Sequence, residues 1–187
     1  MTASAIADEV GMHKSAMLRY FETREDIFLQ LAADAWTEWS AAIRSDLEKL
    51  TAPRRQSTDR TAHEVAAVLA HSLTARPLFC DLLAHTPLNL ERNVSLQRVK
   101  EFKIRAIAVV AEVGDTLCTV TPLQSDQART VVSTATSMAG AMWQMAAPTT
   151  GLRDFYRSEP ELIHAVVDVE PRLTDILSAL ITGYSAR

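Results

Sequence analysis

Along most of the chain, apolar residues recur three or four positions apart, the spacing that puts them on one face of a helix. Ile27, Phe28, Leu31, Ala35, Trp36, Trp39, Ile43, Leu47 and Leu50 mark one long helix, about 24–50. Val65, Val68, Leu69 and Leu73 mark a second, about 59–75, and a short helix follows Pro77, about 77–85. Leu96, Val99, Phe102, Ala106, Val109, Val110 and Val113 form the next stripe, with Ser95 as its N-cap. Pro122 opens another, carrying Val131, Val132, Ala135, Met138, Ala139 and Met142. The last stripe, about 160–183, carries Leu162, Val166, Leu173, Ile176, Leu177 and Leu180, and Pro171 inside it predicts a kink or break. Residues 51–58 and 86–94 read as loops, and 147–160 as irregular. Six of the seven prolines fall at these junctions, and no apolar–polar alternation marks a strand. The expected fold is all-α.

Composition adds exclusions. The 187 residues are enough for a core without disulfides, and 48% hydrophobic with 22% charged residues rules out a disordered chain. No apolar run approaches the roughly 18 residues of a membrane helix, and no signal peptide is visible, so the expected location is the cytoplasm. Cys80 and Cys118 form no ligand motif and read as small hydrophobes. His63, His71, His85 and His164 lack metal-ligand spacing, and no phosphate loop, nucleophile elbow or dinucleotide fingerprint occurs. The carboxylate pairs Asp8-Glu9 and Glu25-Asp26 sit at helix starts, where they complement the dipole. The expectation is therefore no enzyme activity, no cofactor and no metal.

The first thirty residues carry the most specific pattern. Thr2 can cap a short helix with Ile6, Ala7 and Val10 inside, and Gly11 supplies the positive φ that ends it. A tight turn leads to a second short helix, about 14–21, with Met17 and Phe21 inside. Thr23 then caps the long helix, with Asp26 three residues on as a capping box. Two short helices joined by a Gly-containing turn form the helix-turn-helix pattern, whose second helix enters the DNA major groove.

The run IADEVGMHKSAMLRYFETREDIF resembles the DNA-binding segment of the TetR family of bacterial transcriptional regulators. It supplies Ile6-Ala7, Val10-Gly11-Met12-His13, Met17-Leu18-Arg19-Tyr20-Phe21 and Thr23-Arg24-Glu25-Asp26-Ile27. Asn93-Val94-Ser95, and Gly140-Ala141-Met142-Trp143 with Pro148 after it, resemble one subgroup's regulatory domain. Leu18 stands where the family commonly has a phosphate-touching tyrosine, and Arg24 where it has lysine. The family's first helix has no counterpart here, and residues 1–31 set three cations against five carboxylates. The resemblance implies a helix-turn-helix DNA-binding domain at 1–31, lacking its first helix, and a helical ligand-binding and dimerisation domain at 32–187. It implies DNA contacts from Thr2, Ser4, His13, Lys14, Ser15, Ala16, Arg19, Tyr20, Thr23 and Arg24.

Phe79, Phe102, Met138, Met142 and Trp143 are large, adaptable apolar side chains suited to a ligand cavity, and His71, expected on an apolar helix face, could supply a hydrogen bond there. The expected function is a repressor released from double-stranded operator DNA by a small apolar or amphipathic ligand. The alternative is a helical dimer acting through ligand or protein contacts with an incomplete DNA module. A homodimer is expected through helices 122–146 and 160–183, where Ala135, Ala139 and Gly140 permit close approach beside Leu173, Ile176, Leu177 and Leu180. Without a first helix, Ile6, Val10, Met17 and Phe21 are expected to stay half exposed and residues 1–21 poorly ordered, unless a basic amphipathic segment of about 20 residues precedes Met1.

Overall fold

The computed structural model describes residues 3–9, 11, 13–50, 58–148 and 150–186. These form α1 (Ala3–Glu9), α2 (Lys14–Met17), α3 (Arg24–Glu48), α4 (Thr58–Thr74) and α5 (Pro77–His85). A π-helical turn (Thr86–Leu90) and a 3-10 turn (Glu91–Asn93) lead to α6 (Leu96–Val120), α7 (Ser125–Ala146) and α8 (Gly151–Ser158). A 3-10 turn (Pro160–Ala165) precedes α9 (Val169–Ser185), and no strand occurs among the described residues. The fold is all-α, as the periodicity predicts. No single described helix is long and apolar enough to cross a membrane.

The long helix organises the core. Leu29, Ala33, Trp36, Trp39, Ile43 and Leu47 form a buried stripe down α3 at helical spacing. α6 runs along α3, α7 packs on α5 and α6, and α9 lies against α4 and α7. Trp36, Trp39 and Phe79 meet as an aromatic cluster with centroids 5.4–5.8 Å apart. The buried Trp39 indole N–H donates to Ser72 Oγ at 3.0 Å, and the Ser72 hydroxyl donates to the Leu69 carbonyl at 2.8 Å. The indole thus leaves no unpaired donor in the core.

The small residues of α7 serve packing within the chain. Ala135, Ala139 and Gly140 are buried within the chain, as are Leu173 and Leu177 of α9. A Cβ on Gly140 would stand 2.8 Å from the Ala84 backbone nitrogen, so the glycine allows α5 and α7 to touch.

Several boundaries also differ from expectation. Pro171 is the third residue of α9, where its missing N–H has no helical partner to lose, so it starts the helix instead of kinking one. Residues 151–158, expected to be irregular, are helical, and the supposed loop at 86–94 is mostly tight helical turns. α7 begins after Gln124, whose N–H donates to Gln127 Oε1 at 2.9 Å in a capping box, and Pro122 lies ahead of it. α2 ends at Met17, and the chain turns as the Tyr20 and Phe21 N–H groups donate to the Met17 carbonyl at 3.0 and 3.2 Å.

At the N-terminus, Gly11 has the expected positive φ of 67°. Ala7 and Met17 are buried and Ile6 and Phe21 half-buried, so Met17 is better covered than the missing-helix argument predicts. Val10 lies outside the described residues. Thr23 caps α3 by accepting the Asp26 N–H at 3.1 Å. The return bond runs to the preceding residue, with the Glu22 N–H donating to Asp26 Oδ2 at 2.9 Å.

This corner is tied to residues more than seventy positions away. The Thr23 hydroxyl donates to the Asn93 carbonyl at 3.1 Å. Glu22 accepts from the Ser95 N–H at 3.1 Å and the Ser95 hydroxyl at 2.9 Å. Arg98 stands 3.5 Å from the buried Asp26 carboxylate and 4.0 Å from that of Glu22. Two carboxylates thus lie against the positive end of α6, where the helix dipole favours them.

Three measurements check this packing. Gly140→Ala should lower the unfolding free energy by about 1–3 kcal/mol in urea melts, because overpacking against the α5 backbone outweighs the helix propensity gained. An unchanged midpoint would refute the close approach. Arg98→Ala should cost about 1–2 kcal/mol, less than a fully buried pair because Arg98 is partly solvated, and should speed amide exchange at Glu22. Cys80 is buried with its Sγ 3.3 Å from the Leu73 carbonyl, and burial, aided by the Asp81 carboxylate, pushes its thiol up to about 12. It should resist thiol reagents at pH 8 in the native protein and react only on unfolding, because the thiolate is the nucleophile.

Candidate functional site

The residues expected to meet DNA fall on α1, α2 and the turns that flank α2. Thr2 lies outside the described residues, Ser4 is in α1, and Lys14 is the first residue of α2. His13 and Ser15 are exposed and linked, His13 Nδ1 to Ser15 Oγ at 3.2 Å. Ala16 is half-buried, Arg19 is exposed, and Tyr20 is 69% exposed. Arg24 is engaged by Glu25 beside it. The Thr23 hydroxyl donates to the Asn93 carbonyl at 3.1 Å and accepts the Asp26 N–H in the helix cap.

The structure also changes how the local excess of carboxylates reads. Glu22 and Asp26 face Arg98 and the α6 N-terminus, and Glu25 faces Arg24. Two of the five acidic groups counted in residues 1–31, Glu22 and Asp26, are therefore matched by positive charge from outside that segment, which a count along it does not register.

The expected ligand residues separate into different environments. Phe79 is sealed in the aromatic core, 2% exposed, because Trp36 and Trp39 close over it. His71 does not sit on an apolar face. Its side chain is largely exposed, with Nδ1 3.2 Å from Glu170 Oε1 at the α4–α9 junction, and Thr74 donates to the other Glu170 oxygen at 2.8 Å. Phe102 borders a space of about 180 Å³ shared with Arg98, Glu101 and Arg105, too small and too charged for an apolar ligand. Met138 borders a shallow outer surface with Ser133 and Ser137. Met142 is half-buried against the core.

Trp143 does line a cleft, of about 450 Å³, with Ala146, Pro148, Val167 and Val169. Arg153 borders it, held by the Ala146 and Val167 carbonyls at 3.2 and 3.0 Å and by Asp168 at 2.9 Å. A second cleft, about 600 Å³, opens between the start of α3 and α5. Phe28, Leu82 and Leu90 give it apolar walls, and Arg24, Asp81, His85, Asn89 and Asn93 a polar rim. The rim residues 81, 85, 89 and 93 stand four apart. The Asn93 amide donates to the Asn89 carbonyl at 2.7 Å, and Asn89 Nδ2 lies 3.2 Å from His85 Nδ1. The four-residue spacing is visible in the sequence, but it lines up on one face only because the chain stays helical through 86–93. Among the described residues no group of His, Cys, Asp and Glu gathers that could hold a metal ion.

Residues 33–187 match the family described as tetracyclin repressor-like, C-terminal domain. A comparison with curated proteins finds no matching sequence. The match covers most of the chain, begins inside α3 and runs through α9, so the chain belongs to the TetR family of transcriptional regulators.

Proposed function

We propose that this regulator binds operator DNA as a homodimer through α1 and α2 and is released by a small apolar or amphipathic ligand. The observation that carries the reading is the tie between the N-terminal corner and α6. Glu22, Thr23 and Asp26 are bonded to Asn93, Ser95 and Arg98, so a displacement of α6 or of the 86–93 turns is passed to the segment holding α2. Residues 1–31 act as the DNA-binding domain and 32–187 as the ligand-binding and dimerisation domain.

α2 enters the major groove, with His13, Lys14, Ser15 and Ala16 toward bases and phosphate and Arg19, Tyr20 and Arg24 toward the backbone. The ligand occupies the Phe28–Leu82 cleft beside Arg24 or the Trp143 cleft, both within the volume range of small-molecule sites. A ligand that favours one arrangement of the Asn93–Ser95 tie shifts the population away from the DNA-spaced state. Moving the balance from mostly bound to mostly free takes about 5.5 kcal/mol of differential affinity.

The test is a gel shift of the full chain on the intergenic DNA beside its own gene, with unrelated competitor DNA. Lys14→Ala should weaken binding several-fold and, if Lys14 neutralises a phosphate, lower the salt slope by about one unit. Absence of any specific shift would replace this reading with the helical binding dimer that lacks a working DNA module.

A further inference from the structure

The two clefts differ in charge. Around the Trp143 cleft, Arg153 and Arg157 stand against Asp154 and Glu170, so cations and carboxylates balance. Around the Phe28–Leu82 cleft, the Arg24 guanidinium stands against the carboxylates of Glu25 and Asp81. That guanidinium is already neutralised, because Arg24 Nε donates to Glu25 Oε1 at 3.0 Å and Nη2 donates to the same oxygen. Glu25 is 19% exposed, so its charge is less screened by water than that of a surface carboxylate. Among the described residues Asp81 has no ion pair, and the neutral Gln144 amide donates to its Oδ1 at 2.8 Å.

The hydrogen-bonding atoms of the cleft tell the same story. Among the described residues, Glu25 Oε2, Asp81 Oδ2 and the side-chain oxygens of Asn89 and Asn93 accept no hydrogen bond. Donors are more fully used. The Asn93 amide gives a hydrogen to the Asn89 carbonyl at 2.7 Å. The Asn89 amide nitrogen, which can only donate, gives one to His85 Nδ1 at 3.2 Å, which leaves the His85 proton on Nε2. The rim is thus rich in acceptors and carries an excess of negative charge, above the apolar walls of Phe28, Leu78, Leu82 and Leu90.

We propose that the Phe28–Leu82 cleft, and not the Trp143 cleft, holds the ligand of this regulator, and that the ligand is an organic cation with several N–H donors, a primary ammonium or a guanidinium, on an apolar body. The head meets Glu25 and Asp81 and donates to the Asn89 and Asn93 oxygens. The body lies on Phe28, on Leu82 and on Leu78, which is 59% exposed when the cleft is open. An anion would face two carboxylates with the one guanidinium already taken. A neutral apolar ligand would cover the acceptors without replacing the hydrogen bonds they make to water. A quaternary ammonium has the charge but no N–H to give. The inference rests on the reading of a ligand-released regulator and names the site and chemical class of its ligand.

Calorimetric titration of the full chain without DNA tests it, at fixed ionic strength and with every probe below its micelle concentration. Octylammonium and octylguanidinium should bind. Octyltrimethylammonium, octanol and octanoate should each bind at least about tenfold more weakly, because the first has no N–H, the second no charge and the third the wrong one. Asp81→Asn and Glu25→Gln should each weaken octylammonium about tenfold, with unchanged helical circular dichroism, and move octanol little. Asp154→Asn, in the Trp143 cleft, should change nothing. Asp81 is exposed, so its variant decides the matter even if Glu25→Gln, which also loosens Arg24, does not fold. No binding of octylammonium, equal binding of any of the three comparison probes, or a loss caused by Asp154→Asn and not by Asp81→Asn would each overturn the assignment. Gel shifts keep the two readings apart. Octylammonium that binds through Asp81 but leaves a specific DNA shift intact would keep the cation site and reject ligand release. A shift dissolved by octanoate and not by octylammonium would keep ligand release and reject the cation.

Discussion

The first turn of α3 belongs to two parts of the molecule at once, and the rest of the structure follows from that constraint. From Leu29 to Leu47 the inner stripe of α3 is locked into the core, with Trp36 and Trp39 its largest contributors. Each such side chain is worth about 1.5–3 kcal/mol in burial, so the helix cannot turn about its axis without exposing several of them. Its N-terminal turn holds Asp26, a buried carboxylate that accepts from the Glu22 N–H and faces Arg98. A buried carboxylate is tolerated only with such partners. The geometry of the N-terminal corner is therefore fixed jointly by the core below and by α6 beside it.

Two clefts of small-molecule size border elements joined to the corner. One is walled by the start of α3, by α5 and by the turns ending at Asn93; the other lies where α7 ends and α9 begins. The first is lined by Arg24 and Glu25 of that same helix turn. Trp39 and Phe79 are sealed in the core, and Trp36 packs edge-on against both.

Small residues are used twice in this fold, with opposite outcomes. On α7 they are buried inside the chain, and Gly140 lets α5 approach to backbone contact. On α6, Ala108 and Ala111 lie toward the outer face beside exposed isoleucines. The same residue type closes an internal helix pair in one place and lies toward solvent in the other.

What the sequence determined by itself was local. Thr23 and Ser95 cap the helices they were expected to cap, Gly11 takes the positive φ its place in the turn required, and the stripes fix α3, α4, α5 and α6 to within a few residues. These features depend on neighbours within one or two helical turns, so periodicity and capping chemistry suffice. Tertiary structure alone decided where each stripe faces. A row of Ala and Gly reads alike whether it meets its own chain or another, and only the packing of α5 shows that Ala139 and Gly140 meet their own. Phe79 and Trp143 look equally fit for a pocket, and only the closure of Trp36 and Trp39 over one of them separates core from cleft. The partners of Glu22, Asp26 and His71 lie about seventy to a hundred residues away. Charge pairing at that distance is set by how helices pack, and no local pattern encodes it.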